Sequence, residues 1–249
     1  MEPFFRRIFS VTKRVLRQLQ HDKRFIGLSL MVPVAIIYVL YVFFDSLNNP
    51  LLDANAYVFP FGAYIVHFLT FVLTAIVLVR ERVTETLTRM MVSGYQQLEI
   101  ILGYLLAYST LATGQSLVVL VEITWLFKLD YSFATLASIY LVMWLLAVIS
   151  MALAIFVSNF ASNEGQVFPF IPLVTLPGMF LSGMVISIEG LPDWAQVLSR
   201  FTPVYYATEV MHALTGGGNL WDESAALLSL PIYGLVVLVL ASFTLRDNA

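Results

Sequence analysis

The sequence predicts an all-α integral membrane protein with six transmembrane helices. Three observations carry this: too little polar sequence to clothe a soluble core, charge-free gaps of membrane length, and basic residues gathered on one side of those gaps. Of 249 residues, 59% are hydrophobic and only 12% are charged, where a soluble domain carries roughly a quarter charged. The mean hydropathy of +0.85 agrees. Lipid is therefore the solvent for most of the chain.

Six charge-free gaps of at least 20 residues run between Arg24 and Asp45, Asp53 and Arg80, Glu99 and Glu122, Asp130 and Glu164, Glu164 and Glu189, and Glu223 and Arg246. At about 1.5 Å per residue, 20 residues cover the roughly 30 Å hydrocarbon core. Lipid satisfies no open backbone group, so such runs are helical. The expected spans are 25–44, 56–79, 98–121, 132–157, 166–188 and 225–245, in one membrane domain, 1–249. Six spans put both termini on one side. With that side cytoplasmic, eleven basic residues lie inside and only Lys128 and Arg200 outside. The positive-inside rule selects this orientation, in a cell (inner) membrane. The first long apolar run starts at Phe25 with no small-residue cleavage site straight after it, so a cleavable signal peptide is not expected.

Three elements flank the spans. Over 3–20, Phe4, Phe5, Ile8, Val11, Thr12, Val15, Leu16 and Leu19 recur at helical spacing, with Arg6, Arg7, Lys13, Arg14 and Arg17 among them. A basic amphipathic helix is expected here, lying along the anionic inner leaflet; a solvated cytoplasmic helix is the alternative. Over 81–93, Val83, Leu87, Met91 and Tyr95 recur every four residues, and Glu85 with Arg89 has the favourable i,i+4 order. A short amphipathic cytoplasmic helix is expected, stopping at Gly94. The fifth span is unusual, with Pro169, Pro172, Pro177, Gly178 and Gly183; proline removes donors and kinks helices. The following outer segment, 190–214, stays apolar, so short re-entrant helices are expected there before the last span.

Few groups could carry chemistry. There is no cysteine. His21, His67 and His212 are far apart, without ligand spacing. Lys13, Lys23 and Lys128 are the only lysines and none follows glycine, so no phosphate-binding P-loop exists. Glu99 and Glu122 lie about 35 Å apart on a straight helix, at the ends of the third span rather than mid-membrane. His67 is the one deep titratable group, either a packing residue or a proton relay. Gln115 is similarly placed. Ser182-Gly183 has no G-x-S-x-G context and reads better as a helix-packing pair than as a nucleophile. The basic residues report topology, and nucleic-acid binding is not expected.

Two segments carry a resemblance. Arg80-Glu81-Arg82-Val83-Thr84-Glu85-Thr86-Leu87, followed by Leu98-Glu99-Ile100-Ile101-Leu102-Gly103, resembles the cytoplasmic loop of ABC-2-type permeases, close to R-E-R-x-x-G-T-L-E-x-L-L and then L-E-I-L-L-G-K. Phe180-Leu181-Ser182-Gly183, Leu191-Pro192-Asp193-Trp194 and Thr202-Pro203-Val204-Tyr205-Tyr206-Ala207 are similar to that family's F-L-S-G, M-P-x-W and N-P-x-x-Y. Together with the six spans, the resemblance covers essentially the whole chain. The departures are Glu85 at a frequent glycine, Thr88 at Glu, Gly94 at proline and Tyr104 at lysine.

The resemblance implies the permease subunit of an ABC exporter, drug- or multidrug-export-like. It has no ATPase of its own. Two permeases, identical or homologous, would pair with two cytoplasmic ABC ATPase subunits that hold the ATP and Mg; no cofactor is expected in this chain. Arg80, Glu81, Arg82, Glu85, Thr86, Leu87 and Arg89 would form the ATPase-coupling helix. His67, Phe68, Phe71, Phe168, Phe170, Met179 and Phe180 are pathway candidates. Ser182, Gly183, Pro192, Trp194, Pro203, Tyr205 and Tyr206 would shape the extracellular gate. The aromatic-rich, charge-poor spans point to an apolar or amphiphilic substrate, such as a drug, lipid or natural product. The alternatives are an ion-coupled secondary transporter and a non-transporting membrane scaffold subunit.

Overall fold

A computed structural model describes residues 2–47 and 54–246; residues 1, 48–53 and 247–249, with Asp53 among them, lie outside the described residues. Among the described residues there are ten α-helices and no strand. In order they are α1 (Glu2–His21), α2 (Lys23–Leu47), α3 (Ala54–Val83), α4 (Thr86–Val92), α5 (Gln97–Leu126), α6 (Phe133–Ser158), α7 (Phe170–Phe180), α8 (Asp193–Ser199), α9 (Pro203–Thr215) and α10 (Ser224–Arg246). Asp22 separates α1 from α2, and its carboxylate accepts the Phe25 N–H as a cap. Ser132 caps α6 through the Thr135 N–H.

Five helices, α2, α3, α5, α6 and α10, are long and apolar enough to cross a membrane. The expected sixth, at 166–188, is not a single long helix. It divides into a one-turn 3₁₀ helix (Glu164–Val167), the eleven-residue α7, and a bend at Gly183 with φ +81°. Eleven residues rise about 16 Å, half of a bilayer core. Pro169 stands immediately before α7, which runs on through Pro172 and Pro177 and ends at Phe180, ahead of the Gly183 bend.

The α3–α6 pair forms the centre of the bundle, flanked by α5, α9 and α10. Most of α6 is buried, whereas most of α2 is exposed. Close approach is built on small residues. A Cβ on Gly62 of α3 would sit 2.4 Å from Ile123 Cδ1 of α5, so a larger residue there would have to displace that side chain.

Two short-range expectations need correction. The helix expected over 81–93 is split. The chain stays helical in α3 through Val83, turns at Thr84, and enters α4 from Glu85 in the left-handed region (φ 58°). The Glu85–Arg89 ion pair does not form, because Glu85 lies outside the helix and Arg89 Nη2 donates to Thr84 O at 2.7 Å. The stop at Gly94 holds: Gly94 (φ +84°) donates to Met91 O and Tyr95 donates to Met90 O, the pair of bonds that closes a helix through a left-handed glycine.

Candidate functional site

The ion pairs gather at one end of the bundle, where most of the basic residues lie. The apolar stripe expected on α1 is taken up by protein: Ile8, Val11, Val15 and Leu19 are buried and α1 packs along α5. Gly103 makes this contact possible, since a Cβ there would meet Val11 at 2.6 Å. Thr12 Oγ1 also donates to Gly103 O at 3.3 Å. The helix is thus splinted to α5, with Phe5 and Phe9 left exposed.

The polar side of α1 then does the joining. Arg14 Nη2 lies 3.3 Å from Glu81 Oε2 and donates to the Tyr104 hydroxyl. Gln18 Nε2 donates to Glu81 Oε1 at 2.9 Å. Arg7 Nη1 donates to Gly94 O at 2.8 Å and reaches Glu99 Oε2 at 3.5 Å, while Glu99 accepts the Gln96 N–H at 2.8 Å. Glu81 and Glu99 are both buried, which is tolerable because each carboxylate has these partners. One helix thereby binds the end of α3 and the turn between α4 and α5.

The R-E-R residues serve three directions. Arg80 pairs with Glu164 at 2.9 Å on the surface, and that hydrogen bond, ahead of the weaker effect of burial, holds the Glu164 carboxyl below its ordinary range. Glu81 turns in to α1. Arg82 donates to the carbonyl of Ser158 and, at 2.7 Å, to Asn159 Oδ1 at the end of α6. Among the remaining coupling candidates, Leu87 is buried and anchors α4, Thr86 is half-buried, and Glu85 and Arg89 are exposed. Val92, at 85% exposure, is the outermost apolar side chain of α4.

Deeper in the bundle a thin polar seam crosses the apolar core. His67 Nδ1 is 2.6 Å from Ser150 Oγ. The Ser150 hydroxyl donates to Leu146 O, so the imidazole is the donor to Ser150. Gln115 accepts from Thr70 at 3.1 Å and donates to Ser29 O at 2.8 Å, joining α3, α5 and α2. His67 is 1% exposed. Beside it lies a cavity of about 340 Å³ bounded by Val174 and Pro177 of α7, the turn between α8 and α9, and Tyr233 of α10.

The other pathway candidates diverge. Phe68 is half-buried and stacks on Tyr64, whose hydroxyl donates to Thr175 O of α7. Phe71 is fully buried in a separate cluster. Phe168 and Phe180 are exposed, and Phe170 and Met179 half-buried, along α7. The gate candidates surround α7's end, α8 and α9. Ser182 is buried and bonds only backbone, at Met179 O and Met184 N, which leaves it without a base. Gly183 forms the bend, Pro192 precedes α8, and Pro203 opens α9. Tyr205 and Tyr206 meet edge to face, and Tyr206 donates to Arg200 O. Trp194 is exposed.

Arg7, Arg14, Gln18, Glu99 and Tyr104 were not among the expected site residues. Their signal was present as spacing, since positions 7, 14 and 18 share a face of α1, but no single-sequence pattern says which carboxylates that face meets.

Five helices long and apolar enough to cross a membrane, with large apolar side chains on their outer faces, define a polytopic membrane protein. Comparison with known sequences narrows the class. The ABC-2 type transporter family model matches residues 6–214, and the chain belongs to that family of ABC transporter permeases. The probable multidrug ABC transporter permease YbhR of Escherichia coli K12 is 27% identical over 163 residues, covering 65% of this chain and 44% of that protein. The protein of the same name from Escherichia coli O157:H7 matches to the same extent. The chain thus spans less than half the length of these curated relatives.

Proposed function

We propose that the chain is one half of the membrane unit of an ABC exporter for an apolar or amphiphilic substrate, driven by ATP hydrolysis on separate cytoplasmic subunits. In this reading the charged end faces the cytoplasm, both termini are inside the cell (inner) membrane, and α7 with its 3₁₀ turn makes the sixth crossing together with α8 and α9, which dip back from outside. A second permease, identical or homologous, covers the exposed ridge of α7 formed by Phe168, Leu173, Leu176 and Phe180. Substrate moves along that seam, past the cavity beside His67.

The observation that carries the reading is the construction of α4. Its inner face is anchored by Leu87, its outer face carries Val92 and Arg89, and both its ends are wired to α1, through Glu81 on one side and Gly94 and Glu99 on the other. A force applied to the outer face of α4 is thereby delivered to α3 and α5 together. That is what a docking helix for a mechanical partner requires. Glu81 and Arg82 are consumed within the chain, so the docking surface is assigned to Thr88, Arg89, Val92 and Ser93.

The test is affinity purification of the tagged chain from native membranes, with mass spectrometry of what accompanies it. Recovery of a P-loop ATPase in equal amount, and its loss on Val92→Asp with the chain still folded, supports the reading. A chain recovered alone with nucleotide present, or transport that collapses with uncouplers and survives ATP depletion, overturns it in favour of ion-coupled transport. Recovery of the ATPase without any substrate-dependent flux identifies a scaffold instead.

A further inference from the structure

A second cavity, of about 260 Å³, lies away from the pathway candidates, in the cleft between α1, α2 and α5. That is roughly eight or nine times the volume a water takes in the liquid. Its walls are aliphatic: Leu19 from α1, Ile26 and Leu30 from α2, Leu111 from α5. The one hydroxyl in the wall, Thr110, is turned back to Ala107 O. Gly114 sets the far end, and it is not glycine for close packing: a Cβ there would meet only Leu30 Cδ2, at 3.8 Å. The helices simply fail to fill the space. Its α2 wall runs from Ile26 to Leu30, about 6 Å along the helix.

The mouth has the opposite character. Gln20 stands on the rim. Arg17 lies one helical turn from it, and Lys23 one turn before Ile26, so both flank the opening; Arg24 follows. All three are exposed, and among the described residues none pairs with a carboxylate. Asp22, the acidic residue at this corner, is occupied in capping α2. An apolar slot beneath unpaired cations complements one kind of molecule in the surrounding solvent.

We propose that this cleft binds an anionic phospholipid of the inner leaflet, one acyl chain between α2 and α5 and the phosphate against Arg17, Lys23 and Arg24. The assignment rests on reading the charged end as the cytoplasmic face. The lipid completes the packing that the α1–α2 corner lacks and fixes α1 relative to the membrane.

The experiment is titration of the detergent-purified chain with phosphatidylglycerol or phosphatidylcholine, read by native mass spectrometry. The wild type is expected to hold one phosphatidylglycerol at least tenfold more tightly than phosphatidylcholine. Each of Arg17→Gln, Lys23→Gln and Arg24→Gln should lower phosphatidylglycerol affinity about fivefold and leave phosphatidylcholine unchanged. Gly114→Leu fills the cleft and should weaken both lipids. Equal binding of the two lipids, or unchanged binding in Gly114→Leu, overturns the proposal. So does a dimer whose interface covers this face and excludes lipid. If Gly114→Leu does not fold, the charge variants decide through the ratio of the two lipids. No ATPase or substrate is present in this assay, so its failure is separable from failure of the exporter reading.

Discussion

The two ends of the molecule are held by different forces. At the charged end, ion pairs and charge-assisted hydrogen bonds bind α1 to α3, α4 and α5, and all three ion pairs among the described residues are there. At the other end, Val204, Val210, Met211 and Leu214 of α9 pack into the apolar core against α3, α6 and α10, and the polar bonds go to backbone carbonyls, such as Tyr206 to Arg200 O and Gln196 to Leu191 O. Directional bonds between charged groups have few alternative geometries, whereas aliphatic side chains repack at small cost. The charged end is therefore the more tightly specified of the two, and the apolar end the more easily repacked.

The strongest attempt to break this comparison is Arg14→Ala. It takes the guanidinium from the buried Glu81 carboxylate, leaving Gln18 and the Tyr104 hydroxyl beside it, and, discounted for the partial exposure of Arg14, should cost about 2 kcal/mol, measured as loss of thermal stability in micelles. Adding Glu81→Gln should restore part of the loss; a cost under about 0.5 kcal/mol, the level of ordinary surface substitutions, would remove the clamp. Next is Gly103→Ala, which drives a Cβ into Val11. A loss of about 2 kcal/mol is expected, with faster proteolysis of α1 as the accompanying sign. At the apolar end Tyr206→Phe deletes one hydroxyl bond to a carbonyl and should cost about 1 kcal/mol. If it costs more than Arg14→Ala, the two ends have been ranked the wrong way round.

Glu85→Gly should move stability the other way. Glu85 holds φ 58°, which costs a side-chain-bearing residue about 1 kcal/mol, and glycine removes that cost, so the melting temperature should rise. The smallest effect belongs to Arg80→Gln. The Arg80–Glu164 pair is solvent-exposed and contributes under about 1 kcal/mol. Because Arg80 lowers the Glu164 pKa, that contribution is present above the ordinary carboxylate range. It fades as pH falls through the depressed value. The stability difference between wild type and Arg80→Gln should shrink on acidification and in high salt.

Much of the architecture was legible in the sequence. Charge-free gaps located the helices that became α2, α3, α5, α6 and α10, because burial in lipid excludes charge from every face of a span. Gly94 was readable as a stop because the left-handed position after a helix selects glycine. The resemblance to R-E-R-x-x-G-T-L identified the loop, and the structure gives a reason for its glycine: that position turns left-handed, and this chain places Glu85 there. Two readings failed for one reason. An i,i+4 pattern was credited to a continuous helix across Glu85, and the proline-kinked fifth span was given a single range, 166–188, where the helix begins only after Pro169 and ends at Phe180. Hydrophobicity reports burial, and backbone breaks are set by φ and by missing donors.

By itself, then, the sequence determined which segments are helical and apolar and where the charges concentrate, because hydropathy and proline, glycine and charge placement act locally along the chain. Only the tertiary structure decided that Arg14 and Gln18 meet Glu81, that Arg82 ties α3 to the end of α6, and that α1 spends its apolar face on α5. Those contacts join residues about 60 to 90 positions apart. Their partners are chosen by helix crossings that depend on single small residues such as Gly62 and Gly103, whose effect is felt across the bundle and leaves no periodic trace in the sequence.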